Sequence, residues 1–344
     1  MGGLMHPMLN QVLRPWRMLK HGSQLAFYGV KATLFGRQLT LSQDNTGGIK
    51  DNDLLLFATL RNEAHRMEYF LEYYRKMGIN HFILVDNGSD DGFSYWIKEH
   101  RDVSVFYTSE SYKASNFGMH WLNYLLRRYG SNHWCMTCDP DEFLVFPKQD
   151  DLNLRQLCQY LEQTHRPSFY TNMIDMYGKG TLRECIYKPG TDPLDSHPYF
   201  DRSGYFYHEN KIYSSLWAQG GVRLRTLFKD NPAQAPALNK TPLIKWRWYY
   251  AYVSSMHMAI PRKLNKGYQQ GLTGALLHFK FIADFEEKIV EEIERKEHYG
   301  DSIEYQKYQD FLQNSMHFEP SMSVKYQGWK QLQQLGLLVN EELN

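Results

Sequence analysis

The sequence has little of what marks several common classes of protein. Its 344 residues include only four cysteines, too few and too scattered for a disulfide framework. The formal net charge is only +1, which argues against a protein that coats nucleic acid. No apolar run approaches the length of a membrane span, and the first residues lack the apolar core and cleavage site of a secretory signal. We therefore expect a cytoplasmic protein without a nucleic-acid partner.

What the chain does have is enough apolar sequence for a large core. Hydrophobic residues make up 42% of it and charged residues 22%, which fits one large α/β domain or two modest ones. Residues 1–50 differ from the rest, because six lysines or arginines face a single acid, Asp44. Such a basic segment with apolar residues at roughly helical spacing can lie peripherally on the inner face of an anionic membrane. The alternative is a packing arm.

Strands and helices alternate at short spacing after residue 53. This pattern predicts a largely parallel sheet covered on both faces, with ligands beyond the carboxyl ends of its strands. Polar clusters follow the first, second and fourth predicted strands, at residues 61–63, 86–91 and 139–141. The predicted strands are 54–59, 81–85, 103–107 and 134–138, and the predicted helices are 63–77, 93–100 and 116–129.

Further along the chain, short aromatic-rich segments replace this alternation. We predict strands or hairpins at 169–176, 205–212, 221–228 and 246–258, followed by a charged helix at 284–308. Cys135 and Cys138 fit a C-x-x-C pattern, but no second pair follows and a strand would point them to opposite faces. We interpret both as core residues.

Asp139 and Asp141 flank one proline directly after a predicted buried strand. Two carboxylates placed in this way form a hard-oxygen site that suits Mn²⁺ or Mg²⁺ and leaves positions for phosphate oxygens. A metal ion held there would act as a Lewis acid on a departing diphosphate. The alternative is an acid-rich turn without a metal.

Four segments of the chain form an ordered set of motifs. They are Arg61-Asn62-Glu63, Val85-Asp86-Asn87-Gly88-Ser89-Asp90-Asp91-Gly92, Asp139-Pro140-Asp141-Glu142-Phe143 and Leu276-Leu277-His278-Phe279-Lys280-Phe281, with Phe285 following. The first three resemble the R-N-E, D-N-x-S-x-D and D-x-D-E-F motifs of the glycosyltransferase family 2-like group. The fourth resembles the C-terminal H-F-K element of that group, so the resemblance covers residues 53–310.

The resemblance implies a GT-A type fold, which is a Rossmann-like, mostly parallel central sheet flanked by helices, with a mixed acceptor-side region and C-terminal helices. It divides the chain into a basic extension (1–50), a nucleotide-sugar-binding half (51–165), an acceptor-side region (166–283) and a helical segment (284–344). It also implies transfer of a sugar from a nucleotide diphosphate donor, a UDP-sugar above all, to a glycan or polysaccharide acceptor. We expect direct displacement with inversion.

The resemblance also implies roles for single residues. Asp86 would bind the base or ribose of the donor, Arg61 its phosphates, and Glu63 would hold Arg61 or the ribose. Asp139, Asp141 and His278 would hold the metal ion, and Lys280 would neutralise diphosphate charge. The remaining candidates for the donor site are Asn62, Asn87, Ser89, Asp90, Asp139 and Lys240, of which Asn87, Ser89 and Asp90 are equally suited to building the turn.

Displacement needs a general base, usually Asp or Glu. We favour Asp175, which has apolar neighbours on a predicted strand, so that burial would raise its pKa to a useful value. Asp195, Asp201 and Glu209 are the alternatives.

Three further candidates and several aromatic residues have weaker claims. Lys240 and Lys245 would close over the donor and His257 would reach the acceptor, although a surface or packing role explains all three better. The aromatic residues to test against an acceptor are Trp217, Trp246, Trp248 and Tyr249.

Two other functions stay open. A metal-dependent nucleotidyltransferase or phosphohydrolase would use the same acidic pair, but it usually has a glycine-rich phosphate loop after the first strand, and Arg61-Asn62-Glu63 contains no glycine. A non-catalytic carbohydrate-binding scaffold would be expected to have lost Asp139 and Asp141.

Overall fold

A computed structural model describes the backbone of residues 7–181, 184–282, 318 and 320–343, with side chains from residue 22 onward except at 320. The predicted helix at 284–308, and with it Phe285, lies outside the described residues. Among the helices in these ranges, none is long and apolar enough to cross a bilayer.

A nine-stranded sheet forms the centre of the fold. In spatial order its strands are β1 (Thr40–Gln43), β4 (Val103–Tyr107), β3 (His81–Asp86), β2 (Leu54–Leu60), β5 (Trp134–Thr137), β11 (Asn239–Lys245), β7 (Ser168–Asp175), β14 (Gly274–His278) and β6 (Glu142–Val145). The strands β1, β11 and β6 run against the other six. The predicted α/β class with a mostly parallel central sheet is therefore confirmed.

Shorter elements surround the sheet. The helices are α1 (Pro7–Gly36), α2 (Ala64–Met77), α3 (Phe93–Trp96), α4 (Met119–Tyr129), α5 (Leu154–Gln163), α6 (Gly221–Leu227) and α7 (Trp329–Gln334). Three two-stranded sheets pair β8 (Tyr199–Asp201) with β15 (Ser323–Lys325), β9 (Tyr205–Asn210) with β10 (Ser215–Gly220), and β12 (Ala251–Ser254) with β13 (Met258–Ile260).

The strand β2 shows why the apolar run folds at the centre. Alternate residues of a strand face opposite sides of a sheet, so a strand covered on both faces must be apolar throughout. Leu54 and Leu56 belong to one core, which also contains Phe70 of α2. Leu55 and Phe57 belong to the other core, on the side of α4. The flanking helices therefore cover both faces, as predicted.

The N-terminal segment is joined to the domain rather than separate from it. The strand β1 pairs with β4 at the edge of the central sheet. On α1, Gly36 lies so close to the ring of Tyr124 on α4 that a Cβ there would come within 2.4 Å of it. The segment before residue 50 therefore packs against the central domain through both α1 and β1.

One predicted strand is wrong. The predicted strand 221–228 is replaced by the helix α6, Gly221–Leu227, with Phe228 as its C-cap. Gly220 precedes the helix at a φ of 146° and Gly221 begins it at a φ of 64°, values that glycine adopts most readily. The helix brings Arg223 and Arg225 to the buried carboxylates of Asp175 and Asp201. These tertiary ion pairs outweigh the weak preference of the local sequence for a helix. The prediction at 246–258 is only partly met, by β12 and by the first residue of β13.

Candidate metal centre and donor site

The predicted polar clusters meet at one end of the sheet, where the parallel strands have their carboxyl ends. From β2 the chain continues to β3 on one side, while β5 lies on the other side of β2. Ligands of open α/β sheets bind at this kind of switch point, beyond the carboxyl ends of the strands. Arg61 directly follows β2, Asp86 ends β3, and Asp139 comes two residues after β5.

Strand register places three more polar residues in one row. Glu142 on β6 is paired with His278 on β14, and His278 is paired with Asp175 on β7. Directly paired residues of neighbouring strands point to the same face of a sheet. All three are buried, so the register itself assembles a buried polar row beside the Asp139–Asp141 turn.

A chain of short contacts runs through this row. His278 Nε2 lies 3.3 Å from Asp141 Oδ2, and His278 Nδ1 lies 2.6 Å from Asp175 Oδ1. The other carboxylate oxygen of Asp175 accepts a hydrogen bond of 2.7 Å from Arg223 Nε. Asp175 therefore fixes the imidazole ring so that Nε2 faces Asp141.

Electrostatics in the row correct one expectation. Burial would raise the pKa of Asp175, but the Arg223 guanidinium and His278 outweigh burial and lower that pKa to about 2. The expected upward shift is therefore wrong. Burial likewise would lower the pKa of His278, yet Asp141 and Asp175 raise it to about 9. Burial would raise the pKa of Asp141, and His278 with Arg66 instead hold it well below its ordinary range.

Asp139 lies in a different set of contacts from Asp141. Its Oδ2 is 3.0 Å from Nζ of Lys240, and the same ammonium contacts Oε1 of Glu142. Asp139 is the most open of these groups, with 41% of its side chain exposed against 3% for Lys240. Burial would lower the pKa of Lys240, but Asp139 and Glu142 outweigh it and raise that pKa. Lys240 is therefore a buried residue of the site itself, which differs from its expected position on a segment that closes over the donor.

Three side chains are arranged so that they could hold a metal ion. One donor atom from each of Asp141, Glu142 and His278 lies within 4.8 Å of the others. Adjacent ligands about 2.1 Å from one octahedral ion are about 3.0 Å apart, close to the 3.3 Å between His278 and Asp141. Two carboxylates and an imidazole suit Mn²⁺, and Mg²⁺ less well because it prefers oxygen. Glu142 was expected only as part of a motif.

Arg66 is a site residue that sequence reasoning missed. It lies on the first turn of α2, where its Nε is 2.6 Å from Glu63 Oε2 and its Nη1 is 4.0 Å from Asp141 Oδ2. Glu63 therefore pairs with Arg66. The i, i+3 spacing of Glu63 and Arg66 on a helix was the available signal.

The Arg61 and Asn62 side chains bind the loop after β3. Arg61 Nη1 donates to the carbonyl oxygens of Asn87 and Gly88 at 2.9 and 2.8 Å. Asn62 N donates to Ser89 Oγ at 3.0 Å, and Asn62 Oδ1 accepts from Asp90 N at 3.0 Å. These bonds join the two loops, and Ser89 and Asp90 take part in them, which fits the turn-building alternative left open for these two residues.

Asp86 and Asn87 are both buried at the end of β3. Asn87 Nδ2 donates to the carbonyl oxygens of Thr108 and Glu110, which ties this loop to the one after β4. Asp86 Oδ1 accepts from Ser89 N at 2.9 Å. Burial raises the pKa of Asp86, although the bonds to Ser89 oppose the shift.

The other base candidates lie elsewhere. Asp201 on β8 receives two hydrogen bonds from Arg225, of 2.6 and 2.9 Å, and one of 2.5 Å from Tyr177. Asp195 and Glu209 are exposed, in a 3-10 turn and on β9. Among the described contacts, none joins these three carboxylates to the Asp141–Glu142–His278 group.

The remaining candidates divide between core and surface. Lys280 is half-buried, two residues beyond His278, and its charge acts on Asp141. His257 is bonded to the carbonyl oxygen of Asn239 at 2.6 Å, and burial lowers its pKa to about 4. Lys245 pairs with Glu162 at 2.8 Å at the far end of β11. Packing accounts for His257.

Cys135 and Cys138 are buried in separate cores, on opposite sides of the sheet. Trp246 is fully buried, and Trp217 is in ring contact with His208 and His257. Both cysteines and Trp246 are therefore core residues.

Comparisons with known proteins add little to this picture. No family model matches the chain, and no curated protein matches it. Among solved structures, the crystal structure of HddC from Yersinia pseudotuberculosis matches with a TM-score of 0.29 and 10% sequence identity, over 69% of this chain and 97% of that one. A likeness at this TM-score supports no statement about fold or function, so the geometry of the site must carry the argument.

Proposed function

We propose that this protein is a metal-dependent glycosyltransferase of GT-A type that transfers a sugar from a nucleotide diphosphate donor, a UDP-sugar above all, to a glycan acceptor. One observation carries the proposal. The Asp141–Glu142–His278 group is assembled from β14, β6 and the turn between β5 and β6, so it follows the carboxyl end of β5 as Arg61 follows β2 and Asp86 ends β3.

A metal ion held by this group would supply a Lewis acid for the charge on a departing diphosphate. The donor set is two carboxylates and one imidazole, which fits Mn²⁺. Asp175 accepts the Nδ1 proton of His278 and leaves Nε2 toward Asp141, the arrangement that orients metal-bound histidines in proteins. Asp175 is thus a positioning residue in this proposal and not the base.

The chain's own cations also suit a diphosphate. Lys240 contributes a buried ammonium between Asp139 and Glu142, and Arg66 adds a guanidinium beside Asp141. Fixed charges in a site with little water stabilise developing charge without reorganising. Arg61 holds the two loops that would frame the donor, and the Asp86 carboxylate at the end of β3 is placed to accept hydrogen bonds from its ribose or base.

Calorimetry with UDP, GDP and CDP, each with and without Mn²⁺, tests the proposal. We expect one diphosphate, UDP, to bind more tightly when Mn²⁺ is present. Asp141→Asn should abolish both the Mn²⁺ dependence and sugar transfer, while the exposed Asp230→Asn should change neither.

Two outcomes contradict the proposal. Turnover that survives in Asp141→Asn refutes the metal assignment. Binding of no nucleotide diphosphate under any condition refutes the donor and favours a non-catalytic carbohydrate-binding scaffold.

A further inference from the structure

A basic cavity of about 910 Å³ lies at the opposite end of the strands from the candidate metal centre. It is bounded by the start of β5, the residues before β7 and the chain after β11. Since Lys240 and Lys245 both lie on β11, five residues apart, the two sites are separated by about 17 Å along that strand. The cavity is therefore distinct from the donor site.

Positive charge dominates the cavity wall. Among the described residues that line it, Glu162 is the only carboxylate, and it already accepts hydrogen bonds from Lys245 at 2.8 Å and from Trp134 Nε1 at 2.7 Å. The lysines and arginines of the wall number five: Arg166, Lys245, Arg247, Lys263 and Lys266. Glu162 pairs with Lys245 and Glu342 pairs with Arg166, so three cations of the wall exceed the paired carboxylates. An excess of positive charge in low-dielectric surroundings concentrates anionic ligands.

Arg166 is the most buried cation of this wall. Only 11% of its side chain is exposed, and its Nη2 is bound to Glu342. Its Nη1 is buried and has no hydrogen-bond partner among the residues that the structure describes. A buried donor of this kind costs free energy unless it is satisfied, and the planar guanidinium suits a carboxylate or another oxyanion.

An exposed aromatic edge accompanies these cations. Trp248 is 64% exposed, with the guanidinium of Arg127 5.7 Å from its ring centre and Tyr249 packed edge-on at 5.6 Å. These contacts hold the indole at the mouth of the cavity in spite of its exposure. Aromatic surfaces of this kind bury the apolar faces of ring-shaped ligands.

We propose that this cavity binds an acidic oligosaccharide, with its sugar rings against Trp248 and Tyr249 and its acid groups on Arg166, Lys263 and Lys266. A small inorganic anion would use the cations but not the indole, and the cavity volume is that of a ligand several rings long. That this ligand is the glycan acceptor, anchored away from the reacting end, rests on the proposed function; the binding itself does not.

Calorimetry with hexameric oligogalacturonate as the acidic probe and maltohexaose as the neutral one tests the proposal. We expect the acidic hexamer to bind, more weakly as salt rises, and the neutral one not to bind measurably. Lys263→Gln with Lys266→Gln should weaken binding about tenfold, as should Trp248→Ala. The control pair, Lys211→Gln with Lys229→Gln, removes equal charge from exposed positions outside the cavity and should leave affinity unchanged.

Three results would overturn the proposal. One is no binding of the acidic hexamer. Another is equal affinity for tripolyphosphate with no effect of Trp248→Ala, which would leave a site for anions alone. The third is tighter binding of a single-stranded oligonucleotide, which would indicate nucleic acid. Asp141→Asn should bind the hexamer normally, so loss of transfer and loss of this site are measured separately.

Discussion

Asp175→Asn tests the positioning of His278. The variant keeps the shape of the side chain but removes the charge that lies between His278 and Arg223. The fall in the pKa of Asp175 from 3.8 to about 2 means that the fold favours the charged carboxylate by about 2 kcal/mol over the neutral form. Since the side chain is 1% exposed, screening by solvent is small. We expect a loss of unfolding free energy of about 2–3 kcal/mol.

The same substitution should weaken the proposed metal site. Loss of the carboxylate partner of a metal-bound histidine typically lowers metal affinity by about 10- to 100-fold. The measurements are urea unfolding in EDTA and calorimetric titration with Mn²⁺. The matched control is Asp201→Asn, a buried aspartate paired with Arg225 on the same helix α6 and without a described contact to His278.

The two variants separate stability from metal binding. Both should lose comparable unfolding free energy, whereas only Asp175→Asn should lose Mn²⁺ affinity. Equal losses of Mn²⁺ affinity in both variants would show a general structural effect and would refute the positioning role. Unchanged Mn²⁺ affinity in Asp175→Asn would refute it as well.

Two further predictions concern the rest of the fold. Burial lowers the pKa of His120, His197 and His257 to about 4, below the ordinary 6.5, so at each of these sites the unfolded chain binds more protons and the contribution of that site to stability falls as pH drops from 6.5 to 4. Urea unfolding should show a loss of about 2 kcal/mol per histidine between pH 7 and pH 5, and a flat profile would contradict the assignment. Asn87→Ala removes buried bonds to the carbonyl oxygens of Thr108 and Glu110 and should cost about 1–3 kcal/mol; amide exchange should quicken in residues 108–118, and unchanged exchange there would count against the loop role.

The sequence alone determined the class of the fold and the position of the site beyond the carboxyl ends of the parallel strands. The continuous apolar run at residues 54–59 predicted a strand buried on both faces, and the helical spacing at 63–77 predicted the covering layer. Both signals are local in sequence. Because polar clusters followed three of these strands, the meeting of Arg61, Asp86 and the Asp139–Asp141 turn at one end of the sheet could be predicted as well.

Only the tertiary structure decided which groups touch. The row of Glu142, His278 and Asp175 depends on the register of β6, β14 and β7, which join residues more than 100 positions apart in the chain. The pKa of Asp175 falls rather than rises because Arg223 reaches it from a helix that the local sequence does not predict. The basic cavity at the other end of the strands is likewise lined by four segments that are separate in the sequence. Pairings of this kind are set by packing between distant segments, for which a single sequence carries no periodic signal.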